Sequence, residues 1–307
     1  MSIATMKRRT LLQSGAGLGL AMTVGIDSAA NAQGLKSLDL ATPGGILNNY
    51  IKLLGSLRES NVYVAFSGTL WGMAPDRVPE ALCGFGGLAR HQWNPKGQSY
   101  RRKSFDVGYF SDLESGEPID TMVNPFTGET VEPFHYKYGG GEQLFTEAGL
   151  SAISGEGDTQ EAKPYDLDWQ SLGNQIWLTE GGGGEFPSPL PRETWPRESS
   201  GDAFRFASET TYSSTVDQLA NPELTQADYT LFWSSVLSWE PWLLMDGKPG
   251  FVMWRGVGAK LRSYQDAPRP LLSYIEKEQS NYFDKADPWE GVVRNFDRFK
   301  AMRKPAS

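Results

Sequence analysis

The sequence predicts a mainly β protein: a curved or barrel-like antiparallel sheet with peripheral helices at both ends. Three observations carry that expectation. Short segments of alternating pattern recur from Val62 to Leu261, separated by Gly- and Pro-rich turns. Several of them carry bulky residues on both faces, as with Val62, Val64 and Phe66 against Tyr63 and Trp71. A flat sheet would leave one of those faces wet, whereas a bent one would bury both. Helical periodicity is confined to the two ends of the chain.

The elements follow in order. Thr42 is placed to cap a helix with Pro43 at its first position, and Ile46, Tyr50, Leu53, Leu54 and Leu57 continue it at helical spacing. This entry helix is expected on the outside of the sheet. Val62 to Met73, Leu82 to Trp93 and Arg101 to Phe110 read as strands, the second interrupted by Gly84, Gly86 and Gly87. Pro118 to Val123 and Thr130 to Tyr138 read as a hairpin about the turn Asn124-Pro125-Phe126-Thr127-Gly128-Glu129. The stretch 139–201, with its two glycine runs and clustered prolines, is expected to be an irregular excursion with one short strand, Gln175 to Thr179. It is read either as a cover for a site or as a surface loop. Ala203 to Tyr212, Tyr229 to Trp239 and Phe251 to Leu261 complete the strands. A short helix opened by Pro270 and another opened by the Asp287-Pro288-Trp289-Glu290 capping box close the chain.

The first 32 residues are read as a segment outside this fold. Lys7-Arg8-Arg9 is a twin-arginine pair; a weakly apolar run follows, and Ala30-Asn31-Ala32 has the small-x-small pattern of a cleavage site. The apolar run falls short of the ~20 residues that span a bilayer. The expectation is export through the twin-arginine machinery to the periplasm or beyond, with no stable membrane anchor after cleavage. Residues 33–307 are then read as one domain. The formal net charge of −8 disfavours nucleic acid and anionic lipid as partners. A single cysteine, Cys83, allows no disulfide within the chain.

Two segments carry a resemblance. One is the turn and strand Asn124 to His135. The other is Ser238-Trp239-Glu240-Pro241-Trp242 running through the Gly247-Lys248-Pro249-Gly250 turn to Trp254 and Lys260. Together they resemble the bacterial family DUF1838, a domain of unknown function often exported with a twin-arginine leader. The resemblance spans roughly residues 45 to 285. It implies one domain and export, and it brings no catalytic assignment.

The residues exclude several chemistries. With two histidines and one cysteine, no pair has metal-ligand spacing, and no carboxylate-rich calcium loop is present. No nucleophile elbow and no phosphate-cradling loop after a strand occurs, so neither a metal nor a cofactor is expected. Acid–base chemistry by side chains alone remains, or plain binding. On the strand Phe251 to Leu261, Arg255 is the one charge on an otherwise apolar face. It would either orient a ligand anion or pair with a carboxylate such as Glu240 or Glu209. Lys260 shares the other face with Trp254, Gly256 and Gly258, whose glycines indicate close packing over that face. His135 is the candidate proton carrier, with Tyr136 or Tyr138 assisting. Trp239, Trp242, Trp254 and His91 are candidate binding residues. The leading expectation is a cofactor-independent lyase or isomerase acting on a small aromatic or apolar molecule. The alternatives are a carrier of such a ligand, or a structural protein with a filled core.

Overall fold

A computed structural model describes residue 35 and residues 37–153 and 159–306; the leader expected over residues 1–32 lies outside the described residues. The alternating segments become one ten-stranded antiparallel sheet. The strands are β1 (Ser60–Met73), β2 (Glu80–Lys96), β3 (Ser99–Ser111), β6 (Lys137–Thr146), β7 (Gly149–Ile153), β8 (Asp168–Leu172), β9 (Gln175–Pro187), β10 (Ala203–Thr215), β11 (Thr230–Ser238) and β12 (Phe251–Leu261). Two two-residue strands, β4 (Met122–Val123) and β5 (Thr130–Val131), pair only with each other.

In space the order is β7-β6-β3-β2-β1-β12-β11-β10-β9-β8. The first and last long strands are therefore neighbours in the middle. Tyr63 faces Leu261 and Met73 faces Phe251, so the pairing joins the two halves of the chain along the whole of β12. The sheet is not closed: β7 and β8 remain its outer strands. It is nevertheless strongly bent. Laid flat, β6 and β10 would stand about 29 Å apart, six strand spacings. Instead, Tyr138 of β6 and Tyr212 of β10 line one cavity.

Helix α1 (Pro43–Leu54) begins as its sequence dictates, with Pro43 at its first turn and the Thr42 hydroxyl accepting from the Gly45 amide at 3.1 Å. Its position differs from the sequence expectation. It lies within the bend, where Tyr50, Ile51, Leu53 and Leu54 join Val62, Val64, Ile176 and Leu178 in one core cluster. The bent sheet offers an apolar concavity that the helix fills, so the inside is the face with more area to bury. It stops at Gly55, where a Cβ would fall 2.1 Å from the Trp93 ring. The ammonium of Lys260 closes the end by donating to the Leu53 and Gly55 carbonyls at 2.6 and 3.1 Å.

A second cluster, with Phe85, Phe110, Trp242 and Trp254, fills the other end of the concavity under α4 (Asn295–Met302). A third packs α3 (Arg269–Glu278) and Tyr282 on the outer face of β2 and β3. Helix α2 (Val216–Ala220) is a single turn after β10.

Three further expectations differ. The stretch 139–201 carries β6 to β9 rather than an irregular excursion. Its glycines are used as strand residues where other backbone comes close. At Gly181 and Gly183 a Cβ would meet the Ser208 and Phe206 carbonyls at 2.6 and 2.8 Å. The strand expected at Thr130 to Tyr138 breaks after Val131, because Pro133 has no amide to give a ladder. The helix expected at Asp287 starts only at Asn295, since Glu290 and Gly291 adopt positive φ of 56° and 137°.

Candidate functional site

The two faces of each strand determine what meets in the bend. On β3, Phe105, Val107 and Tyr109 point outward into the cluster under α3. Arg102, Ser104 and Asp106 point the other way. On β2, Ala89 and His91 share that inner face, as do Val64 and Phe66 on β1 and Leu231 and Trp233 on β11. These residues enclose a cavity of about 730 Å³, a size suited to a small organic ligand. Its walls differ in character. The β1, β10 and β11 side is aliphatic and aromatic, with Phe66 edge-on to Trp233 at 5.9 Å. The β2, β3 and β6 side is polar.

Asp106 is the central polar group. Burial raises its pKa to about 7, against the smaller opposing effects of Arg102 and a hydrogen bond from Tyr138. The carboxyl is therefore poised between acid and base near neutral pH. Tyr138 is driven well above 10, first by the charge of Asp106 and then by burial, so it remains a donor. The residue stays 43% exposed, at the rim of the cavity. Arg102 is held in place. Its guanidinium lies over Trp93 and Phe145 at 5.4 and 5.2 Å and donates through Nε to Gln143 Oε1 at 3.0 Å.

His91 cannot supply a proton here. Burial first, then the charges of Arg102 and Lys260, lower its pKa to about 3. Its Nδ1 has no hydrogen-bond partner among the described residues. Its NMR ring resonances are expected to stay flat from pH 8 to about 4.5; a midpoint near 6.5 would mean that the ring is hydrated.

Of the residues singled out from sequence, the structure brings His91 and Tyr138 together on this cavity. The others lie elsewhere. His135 sits in a cleft against α3, edge-on to Tyr274 at 5.6 Å. Its Nδ1 accepts from the Phe110 amide at 3.1 Å, so the neutral ring carries its proton on Nε2, and burial lowers its pKa. Tyr136 donates to the Gly86 carbonyl at 2.7 Å from within the core. Arg255 is exposed on the outer face of β12, where Ser234 and Thr69 are its cross-strand neighbours. The inner face of β12 is instead the one bearing Trp254, Gly256, Gly258 and Lys260. Phe85 and Phe66 cover its glycines, and Lys260 caps α1.

Trp239, Trp242 and Trp254 belong to the second core cluster. The segments that carry the family resemblance meet there. Asn124, fully buried, donates to the Leu243 carbonyl at 2.6 Å, and Lys248 reaches the Phe126 carbonyl at 3.1 Å. Phe126 packs on Trp239 at 5.2 Å, and Arg197 bridges Glu129 and Asp246. They brace one end of the sheet.

Sequence reasoning missed Asp106 and Arg102. Alternation on β3 places them opposite a strongly apolar face, where polar residues read as solvated. The one available signal was the pairing of Arg102, Ser104 and Asp106 with the aromatic strands around them.

No curated protein matches the sequence. Residues 59–296 match the family model described as a protein of unknown function, DUF1838, and the chain belongs to that family.

Proposed function

We propose that the cavity binds a small, flat, largely apolar molecule and that Asp106, assisted by Tyr138, transfers a proton on it without a cofactor. The observation that carries this reading is the Asp106–Tyr138 pair, held near its neutral point opposite an aromatic wall. A carboxyl with a pKa of about 7 can take a proton from carbon or oxygen and return it at another position. Tyr138, protonated at working pH, would donate to an oxygen on which charge develops. Phe66 and Trp233 would hold the flat body of the substrate, and Arg102 would keep the carboxylate form of Asp106 accessible. Lyase or isomerase chemistry fits these parts.

The twin-arginine pair Arg8-Arg9 and the Ala30-Asn31-Ala32 site support a periplasmic or secreted location reached by the twin-arginine machinery.

One experiment addresses both points. The full-length chain is expressed in a host with a twin-arginine system, recovered by cell fractionation, and examined by mass spectrometry for what co-elutes. A periplasmic protein carrying an aromatic or apolar molecule is expected. Turnover of that molecule should fall about 10²- to 10⁴-fold in Asp106→Asn, with binding retained. Unchanged turnover in Asp106→Asn sinks the catalytic assignment. Tight binding with no turnover by the wild type favours a carrier.

A further inference from the structure

The main cavity holds hydrogen-bond donors that the protein leaves unused, and they belong to side chains that act on one another. On β3, Arg101 and Lys103 pair with Glu142 and Asp287. Arg102, on the opposite face, pairs with no carboxylate of the described residues. It spends Nε and Nη2 on the one oxygen Gln143 Oε1, and Nη1 has no partner among the described residues. Tyr212 of β10 and Tyr229, just ahead of β11, line the same cavity with their rings edge-on at 5.1 Å. Tyr229 is only 5% exposed. Neither hydroxyl has a partner among the described residues, and neither is sealed from open space. Burial pushes both phenols up, with the charge of Arg102 opposing the rise at each, so both remain protonated donors. His91 stands within reach of the same charge; its Nδ1 is sealed, which leaves Nε2 as its open nitrogen.

The carboxylates around these donors are already engaged. Asp106 accepts from Tyr138, and Glu142 pairs with Arg101 at 3.2 Å. Glu180 acts on both tyrosines without bonding to them, and it accepts from Tyr50 at 2.7 Å. A partly buried guanidinium with no carboxylate is costly unless a ligand supplies the opposite charge. Its planar fork, held over Trp93 and Phe145, matches two carboxylate oxygens. Glu142 and Glu180 also limit what can enter, since a doubly charged group would be repelled. The walls therefore suit one negative charge on an otherwise apolar body.

We propose that the molecule taken by this cavity is a small aromatic or unsaturated monocarboxylic acid, its carboxylate bound by Arg102, Tyr212 and Tyr229 and its flat body lying against Phe66 and Trp233. His91 adds a donor through Nε2. The proposal rests on the reading of this cavity as the substrate site of Asp106, and it names the class of substrate.

Cinnamate and cinnamamide, alike in shape and differing in charge near neutral pH, provide the test. Binding to the full-length protein is followed by calorimetry. Cinnamate is expected to bind at least about tenfold more tightly, the worth of charge-assisted over neutral hydrogen bonds. Arg102→Gln should bring cinnamate down to the level of cinnamamide. Tyr212→Phe combined with Tyr229→Phe keeps both rings and removes both hydroxyls; it should weaken cinnamate about tenfold and cinnamamide by less. Circular dichroism establishes that each variant is folded, and the tyrosine pair alone decides the matter if Arg102→Gln is not. Equal affinity of the wild type for the two probes, binding of neither, or a preference for cinnamate unchanged in the folded variants would each overturn the proposal. Because binding alone is read, the outcome is separate from turnover. Equal affinity leaves proton transfer by Asp106 standing, whereas unchanged turnover in Asp106→Asn with the cinnamate preference intact removes the catalytic assignment and leaves carboxylate binding in place.

Discussion

Asp106→Asn is expected to stabilise the protein at pH 8 while removing its proton-transfer group. The sign follows from the two states. The ordinary aspartate value is 3.8, and burial raises that of Asp106 to about 7 in the fold. Between those values the folded state holds a proton that the unfolded state releases. Folding is therefore increasingly opposed as pH rises from about 4 to 7, and the penalty is constant above 7. Three pH units correspond to about 4 kcal/mol as an upper limit, and the half-buried position reduces this to on the order of 2–4 kcal/mol. Asparagine has no charge to desolvate and keeps similar shape. Urea denaturation at pH 4, 6 and 8 should show wild type and variant converging at pH 4 and separating by pH 8. A gap independent of pH would mean that the fold does not hold this carboxyl neutral. A polar residue retained at a cost in stability is what a working site requires.

Gly87→Ala should be among the most damaging small substitutions in the sheet. A Cβ at this position would lie 2.1 Å from the Tyr136 hydroxyl and 2.6 Å from the Phe66 ring. The hydroxyl cannot swing away without losing its 2.7 Å bond to the neighbouring Gly86 carbonyl. Overpacking of this kind costs about 1–3 kcal/mol. Phe66 lines the main cavity, so the displaced ring should also narrow it. Adding Tyr136→Phe should recover part of the loss, since the hydroxyl is the nearest obstacle. Gly141→Ala, with nothing within 4 Å of its Cβ, should change stability by less than about 0.5 kcal/mol. Thermal and urea unfolding compare the three. Equal losses at Gly87 and Gly141 would show that chain entropy, not the contact, governs these glycines.

Much of the fold could be read from residue pattern. The alternation of Val62, Val64 and Phe66, the separate phase of Phe251 to Leu261 and the Thr42-Pro43 helix start all became the expected elements. The two glycines opposite Arg255 on β12 pointed to close packing, and Phe85 and Phe66 do pack there. The placement of Arg255 was harder to read. Both faces of that strand carry apolar residues, and only the neighbouring strands decide that Trp254 and Lys260 face inward. The strands β6 to β9 were hidden because glycine runs lower strand propensity, and only the approach of a neighbouring backbone makes them useful.

The candidate site was legible in part. Tyr138 and His91 were visible as chemically capable residues, but nothing local joined them. A polar wall of a cavity and a solvated strand face give the same alternating pattern, so nothing along that strand singles out Asp106 and Arg102.

By itself, then, the sequence determined a mainly antiparallel β protein with helical ends and its membership of one family, because side-chain periodicity and long turn motifs are local properties. The tertiary structure alone decided that the sheet stays open yet bends enough to bring β6 across to β10, and that α1 lies within the bend. It also decided which face of each strand is the inside. The reason is physical. Burial, and with it the pKa of Asp106, depends on residues brought together from distant parts of the chain, and no spacing along one strand encodes that distance.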